Sequence, residues 1–189
     1  MEREAPRDFI PASYFEHHRE PSLKNACMEQ PADAFVPEKY LWTQDDFDKM
    51  GWHDSQVHAI SFGENGDLLL DIDYIFKWAA GATHFRFWVS PCTLVFENVY
   101  DVDFDLSYST GGLAIDQLSR DEIQPIEGEE DLVEAGDRAW TIALQQGLIQ
   151  FKSAGFRQFI RARPLLLNEQ ALEISQRGGI SFDQKTGEA

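Results

Sequence analysis

A nearly perfect alternation of apolar and other residues between Leu68 and Trp78 places the strongest restriction on how this 189-residue chain can fold. The apolar face consists of Leu68, Leu70, Ile72, Tyr74, Phe76 and Trp78. The other face consists of Leu69, Asp71, Asp73, Ile75 and Lys77. Successive side chains of a strand point to opposite faces, so the pattern predicts a half-buried β-strand and not a helix.

A three-residue turn is predicted to join this strand to the one before it. The earlier strand is expected over Gln56–Phe62, and the turn over Glu64–Gly66, with Gly66 in the left-handed region. This turn keeps the apolar side chains of both strands on one face, whereas a two-residue turn would reverse the earlier strand. The register places His58 on the core side of the hairpin, away from the two aspartates of the second strand.

The same alternation recurs from Tyr100 to Tyr108, where Asp101, Asp103 and Asp105 fall between apolar residues. Further strands are predicted at His84–Val89, Thr93–Val99, Trp140–Leu144, Leu148–Ser153 and Phe156–Arg163. Seven to nine short strands with little helix indicate a mainly β (α+β) fold of antiparallel type. Either a β-sandwich or a partly open barrel would cover the aromatic face.

Two segments outside these strands carry weaker signals. Thr43–Met50 is expected to be a short helix, because a threonine cap is followed by acidic residues and Gly51 ends the segment. Leu165–Ile174 is compatible with a closing strand or a short helix, and the pattern does not choose between them.

The composition suggests one globular domain with an extension at each end. Apolar residues make up 43% of the chain and aromatic residues 13%, which is typical of a globular protein. Residues 1–39 hold five of the eight prolines and are expected to form an irregular N-terminal arm. Residues 40–175 are expected to form a single antiparallel β domain, and residues 176–189 a loose polar tail.

Four large apolar residues lie in the proline-rich arm: Phe9, Ile10, Tyr14 and Phe15. Leaving each in water is unfavourable by about 1.5–3 kcal/mol relative to full burial. We therefore expect the arm to dock, either on the sheet of its own domain or on a second subunit in a homodimer.

The net charge of −17 is concentrated in the middle of the chain. Residues 64–137 contain three basic and 17 acidic residues, a net charge of −14. Such a surface repels phosphate groups, so no nucleic-acid or membrane partner is expected, and a basic protein partner is favoured.

The chain shows no basic region followed by an apolar run at its start, and no apolar stretch of 18 residues. We expect neither a signal peptide nor a membrane span, and therefore a cytoplasmic location. Cys27 and Cys92 are too few for a disulfide framework and are expected to be free thiols.

The residues that could take part in binding or catalysis lie just before and within the first hairpin strand. The candidate binding residues there are Trp52, His53, Asp54, Ser55 and His58. Their spacing matches no established zinc or calcium signature, so no metal and no cofactor is expected. The alternative is a metal-dependent hydrolase that uses His53, Asp54 and His58. Ser55 and Cys92 lack the neighbours that would activate a nucleophile.

The acidic residues on alternate strand positions are also candidate binding residues. The stripe on the later strand consists of Asp101, Asp103 and Asp105, and a second stripe consists of Asp71 and Asp73. Both stripes are expected on a solvated sheet face or on a surface that binds a basic ligand. Internal partners for these charges are offered by Arg157, Arg161 and Arg163.

Residues 41–106 contain three motifs: LWTQDDFDKMGWHDSQVHAISF, LLLDIDYIFKW and FWVSPCTLVFENVYDVDFDL. Together they resemble an uncharacterised bacterial protein family, a likeness that implies no activity. The WHDS start before a hairpin is also similar to the small acidic immunity proteins that partner bacterial toxins. The leading hypothesis is therefore a non-enzymatic, protein-binding module of the bacterial cytoplasm.

Overall fold

The computed structural model describes residues 35–81, 84–108, 111–124 and 136–187. This part of the chain forms one sheet of ten antiparallel strands and two short helices. The strands are β1 (Leu41–Thr43), β2 (Gln56–Phe62), β3 (Leu68–Ala80), β4 (Phe85–Glu97), β5 (Tyr100–Leu106), β6 (Leu113–Glu122), β7 (Arg138–Leu144), β8 (Gly147–Ser153), β9 (Gly155–Ile160) and β10 (Leu165–Leu167). The helices are a 3-10 helix at Gln44–Lys49 and α1 at Ile174–Arg177.

The strands follow the order β1-β9-β4-β3-β2-β6-β7-β8-β5, and β10 pairs with β4 beside this path. Only Gln56 and Val57 of β2 pair with β6, so the sheet has two halves that are joined by a short ladder. The predicted fold class is confirmed: the described residues are mainly antiparallel β with two short helices, and among them the sheet does not close into a barrel. Two strands of three residues, β1 and β10, bring the number above the expected seven to nine.

Pro91 lies within a strand, so the prediction of separate strands at His84–Val89 and Thr93–Val99 was wrong. It lies inside the 13-residue β4, opposite Asp73 of β3. Proline lacks an N–H, but its carbonyl still accepts a hydrogen bond, here from the Arg161 N–H at 3.0 Å. The two strands predicted on either side of this proline are therefore one strand.

The two halves of the sheet enclose a single apolar core. Phe96 of β4 contacts Trp140 of β7 and Phe151 of β8, with ring centroids 5.1 and 4.7 Å apart. Ile72 and Leu94 from the first half and Ile149 from the second are all completely buried in this cluster. Aromatic pairs of this kind contribute about 0.5–1.5 kcal/mol each beyond the area that they bury.

β3 is buried on both faces over Leu68–Ile75, so the prediction of a half-buried strand was wrong. The face opposite the core is covered by the C-terminal segment, residues 165–187. Leu167 and Leu172 of this segment pack against Ile75, and Phe182 packs against Leu69. The tail that was expected to be loose is thus part of the packed structure over its described residues.

The turn between β2 and β3 is the predicted one. Phe62 pairs with Leu68, and Gly66 has a φ of +76°. A register shift between Val57 and Ala59, however, makes His58 the extra residue of a β-bulge. Such a bulge reverses the alternation of side chains, so the prediction that His58 lies on the core side was wrong.

The remaining predicted elements agree with the structure in type. The β7–β8 hairpin and the helical segment after Thr43 are present, the latter as a 3-10 turn whose Asp46 accepts from the Thr43 N–H at 3.0 Å. The segment from Leu165 to Ile174 begins as a strand and ends at the start of α1. Residues 1–34, with most of the predicted arm, lie outside the described residues. Within the described part, no helix is long and apolar enough to cross a membrane.

Gly147, which opens β8, gives a test of this fold. Its φ is +136°, and a Cβ added there would collide with the carbonyl oxygen of Asp105 on β5. We expect Gly147→Ala to lower the free energy of unfolding by more than about 2 kcal/mol in denaturant titrations.

Gly66→Ala is the matched control, because Gly66 also has a positive φ but has open space around its Cβ position. It should cost about 1 kcal/mol. Equal costs for the two variants would contradict the close approach of β5 and β8.

Candidate functional site

A network of buried charges lies on the outer face of β3. Asp71 and Asp73 project from this face and are completely buried. The guanidinium of Arg177 in α1 donates to Asp71 through two nitrogens, at 2.7 Å to Oδ1 and 2.8 Å to Oδ2. Arg161, just after β9, donates to the same Oδ1, and the Ser181 N–H donates to Oδ2 at 3.0 Å.

Asp73 completes the network with three further donors. It accepts from His58 Nε2 at 2.9 Å, from the Leu172 N–H at 2.8 Å and from Arg177 Nε at 3.2 Å. Burial by itself would raise the pKa of Asp73, but the hydrogen bonds from His58 and Leu172 and the charge of Arg177 outweigh it. The pKa of Asp73 is therefore lowered and the group is held as a carboxylate.

This network positions the C-terminal segment on the sheet. Two carboxylates face two guanidinium groups, and their oxygens are occupied by donors from residues 161–181. The expectation that Asp71 and Asp73 lie on a solvated face was wrong, while the suggestion of Arg161 as an internal partner was right. Because donors of this chain occupy the carboxylate oxygens, the network holds the C-terminal segment on the sheet.

Most side chains of the Trp52–Ser55 turn are buried or hydrogen-bonded to other parts of the chain. Trp52 is buried in the core and donates from Nε1 to Gln158 Oε1 at 2.8 Å. Asp54 has a φ of +64° and accepts from Gln170 Nε2 at 2.8 Å. Ser55 is completely buried, and its hydroxyl has no hydrogen-bond partner.

His53 is the exposed member of this turn, with a side chain that is 61% exposed. Its Nδ1 lies 3.0 Å from the carbonyl oxygen of Asp116 and 3.4 Å from Asp116 Oδ1. Its Nε2 lies 3.6 Å from Asp54 Oδ2. The hydrogen bond with the Asp116 carbonyl is the largest influence on His53, and its pKa is raised.

The structure divides the predicted histidine cluster between two places. His53 and Asp54 lie at the exposed turn beside Asp116, whereas His58 is bound to Asp73 in the buried network. Among the described residues, no three His, Cys, Asp or Glu side chains are grouped so that they could hold a metal ion.

Neither candidate nucleophile is accessible. Ser55 and Cys92 are both completely buried. Burial raises the pKa of the Cys92 thiol, which keeps it protonated and unreactive. Cys27 lies outside the described residues.

The acidic edge, Tyr100–Leu106 of β5, differs from the buried network because its carboxylates are exposed. β5 ends the strand order and pairs only with β8 in the part of the chain that the structure describes. Asp101, Asp103 and Asp105 are all exposed there, and Asp101 contacts Lys152 at 2.7 Å. The acidic edge is therefore an accessible strand edge with a strong negative charge.

Two exposed aromatic rings lie beside the acidic edge. Phe104 of β5 is 40% exposed and Phe62 at the end of β2 is 57% exposed. Their ring centroids are 6.3 Å apart, in an edge-to-face arrangement. Side chains of such size exposed together are a common mark of an interaction surface.

Sequence reasoning missed Arg177, the central donor of the buried network. It lies in the tail that was expected to be loose, and it is followed by two glycines. The available signal was the placement of Asp71 and Asp73 among the apolar residues of Leu68–Phe76, since two carboxylates at such positions need cationic partners.

Comparison of the chain with protein-family models, with curated proteins and with solved structures finds no match. The resemblances that the sequence motifs suggest stay predictions.

Removal of Arg177 tests the buried network. We expect Arg177→Met to lower the free energy of unfolding by about 3–5 kcal/mol, because Asp71 and Asp73 would keep their burial but lose a charged partner. Lys185→Met is the control, since it removes an exposed cation from the same segment. It should change the free energy by less than about 0.5 kcal/mol in the same titrations.

The lowered pKa of Asp73 predicts acid sensitivity. A carboxyl whose folded pKa lies below its unfolded value of about 3.9 stabilises the protein above that value, and the contribution is lost as the pH falls through the folded pKa. We expect the free energy of unfolding to fall below about pH 4. Asp73→Asn should reduce this slope by up to about 1.4 kcal/mol per pH unit. A slope equal to that of the unsubstituted protein would contradict the assignment.

Proposed function

We propose that this protein is a non-enzymatic protein-binding module whose acidic edge binds a basic segment of a partner protein. The observation that carries the proposal is the position of β5 at the end of the sheet, with three exposed aspartates along it. A strand edge can bind an extended segment through backbone hydrogen bonds, and its side chains then select the sequence of that segment.

The side chains of the acidic edge indicate which segment would fit. Asp103 and Asp105 share one face of β5, while Phe104 lies on the other face near Phe62. An added strand with lysine or arginine at alternate positions would meet the aspartates across the pairing. Apolar residues at the positions between them would meet the two phenylalanines.

The charge distribution supports a basic partner. The segment of residues 64–137 has a net charge of −14, and it contains the whole of β5. Charge of this density increases the rate of encounter with a basic protein and disfavours acidic competitors. The proposed place of action is the bacterial cytoplasm, and the likeness to immunity proteins suggests a basic toxin as the partner.

The competing proposal is a metal-dependent hydrolase that uses His53, Asp54 and His58. Its support is the exposed His53 imidazole between Asp54 and Asp116. Elemental analysis, together with thermal shifts against divalent cations, separates the two proposals. A stoichiometric metal, or a shift that a chelator reverses, would favour the hydrolase.

Charge reversal on β5 tests the binding proposal. The full-length protein is used to capture partners from extracts of its source cells, and the captured protein is then titrated against it. We expect Asp103→Lys with Asp105→Lys to raise the Kd for a basic partner at least about tenfold, because close charge pairs would be replaced by repulsion.

The matched control is Asp121→Lys with Glu169→Lys, which changes the net charge equally at two exposed positions away from β5. It should change the Kd by less than about threefold. Equal weakening by both pairs would show that binding follows net charge and not the acidic edge. Capture of no basic protein would also contradict the proposal.

A further inference from the structure

The end of the β3–β4 hairpin carries positive charge, in contrast to the acidic edge. Residues 74–96 contain no Asp or Glu, although the whole chain contains 33 such residues. Lys77 of β3 and Arg86 of β4 lie in this stretch, and Lys77 is exposed. This end of the hairpin would therefore attract an acidic surface.

Two exposed aromatic rings lie at the same end of the hairpin. Trp78 of β3 is 46% exposed, and Phe85 of β4 is 58% exposed. Their ring centroids are 5.7 Å apart in an edge-to-face arrangement, and the ring of Phe87 lies 5.2 Å from that of Trp78. Phe62 and Phe104 form a similar exposed pair beside the acidic edge.

One side of β3 has no partner strand at this end. β2 pairs with β3 only between Leu68 and Asp73, and among the described residues Lys77–Ala80 pair with β4 alone. We call the other side of Lys77–Ala80 the hairpin edge. Its backbone groups can pair with a further strand.

The hairpin edge separates charged from aromatic side chains. Arg86 pairs with Ala79, which is two residues from Lys77, so the two cations point to one face of the hairpin. Trp78 points to the opposite face, where it pairs with Phe87. A strand added to this edge would meet positive charge on one face and an aromatic ring on the other.

The acidic edge is divided between its two faces in the same way, with the opposite charge. Asp103 and Asp105 are on one face and Phe104 is on the other. With Trp78 opposite Phe104, an antiparallel pairing places Lys77 opposite Asp105. A parallel pairing with the same aromatic contact places Lys77 opposite Asp103. Either direction therefore brings together one ion pair and one aromatic pair.

The two edges of one chain are too far apart to pair with each other. Phe104 lies beside Phe62, which pairs with Leu68 at the start of β3. Trp78 is ten residues further along β3, a distance of about 33 Å at about 3.3 Å per residue. Pairing of the two edges therefore requires two copies of the chain.

We infer, on the basis of the proposed function, that the acidic edge of one copy pairs with the hairpin edge of another. The protein that the acidic edge binds is then a second copy of this chain. Because each copy has one edge of each kind, the contact is head-to-tail and repeats from copy to copy. The net charge of −17 opposes contact between copies, so the association depends on concentration.

The mass of the full-length protein, measured by light scattering over a range of concentrations, tests this contact. We expect the mass to rise with concentration. Lys77→Glu alone should weaken the association at least about tenfold, as should Asp103→Lys with Asp105→Lys, because attraction between the edges becomes repulsion. The three substitutions together reverse the charge of both edges, and they should restore the association to within about threefold of the unsubstituted protein.

Lys185→Glu is the matched control, since it changes the net charge as Lys77→Glu does, at an exposed position outside the hairpin edge. It should change the association by less than about threefold. Circular dichroism checks that each variant keeps its β-sheet.

Three results would overturn the inference. A monomeric mass at every concentration would mean that the two edges do not bind each other. Undiminished association in either charge-reversed variant would mean that the copies meet through another surface. Loss in both variants without recovery in the triple variant would mean that the edges act separately. Failure of the proposed function is seen in a different measurement, as an unchanged Kd of the Asp103/Asp105 variant for a captured basic protein.

Discussion

The ion pairs between Arg177 and the aspartates of β3 are the interaction on which the rest of the structure depends. The β3 residues Asp71 and Asp73 lie at the centre of the sheet, between strands that supply most of the core. Burial of two carboxylates there without partners would cost more free energy than folding provides, because the free energy of unfolding of a protein is only about 5–15 kcal/mol. The C-terminal segment must therefore return to the sheet, and Arg177 anchors it at 0% side-chain exposure.

This return determines which surfaces remain accessible. The C-terminal segment covers the outer face of β3 and β4, and the second half of the sheet covers the inner face. β5, at the end of the strand order, keeps one side without a partner strand among the described residues. The acidic residues thus divide into two groups with opposite roles. Asp71 and Asp73 are buried and paired with arginines, whereas Asp101, Asp103 and Asp105 are exposed on β5.

Local pattern predicted much of the fold. The alternation in β3 and the glycine at Gly66 predicted the first hairpin with its register at Phe62, since both signals depend only on neighbouring residues. The bulge at His58 could not be predicted this way, because the hydrogen bond that favours it is donated by His58 to Asp73, 15 residues away. The same limit applies to Arg177, whose partners lie about 100 residues earlier in the chain.

The candidate sites were predictable to different extents for the same reason. Asp103 and Asp105 of β5 could be placed on one face from their spacing alone, because the strand is regular between them and therefore fixes the directions of their side chains. Asp101 lies in the register shift before Asp103 and has a φ of +51°. His53, Asp54 and His58 are close in sequence, but the bulge and the turn at Asp54 direct them to different surroundings. Nearness along a chain indicates a shared site only where the backbone between the residues is regular. In this protein the backbone is regular between Asp103 and Asp105 but not between His53 and His58, so the acidic edge is the better candidate for a functional site.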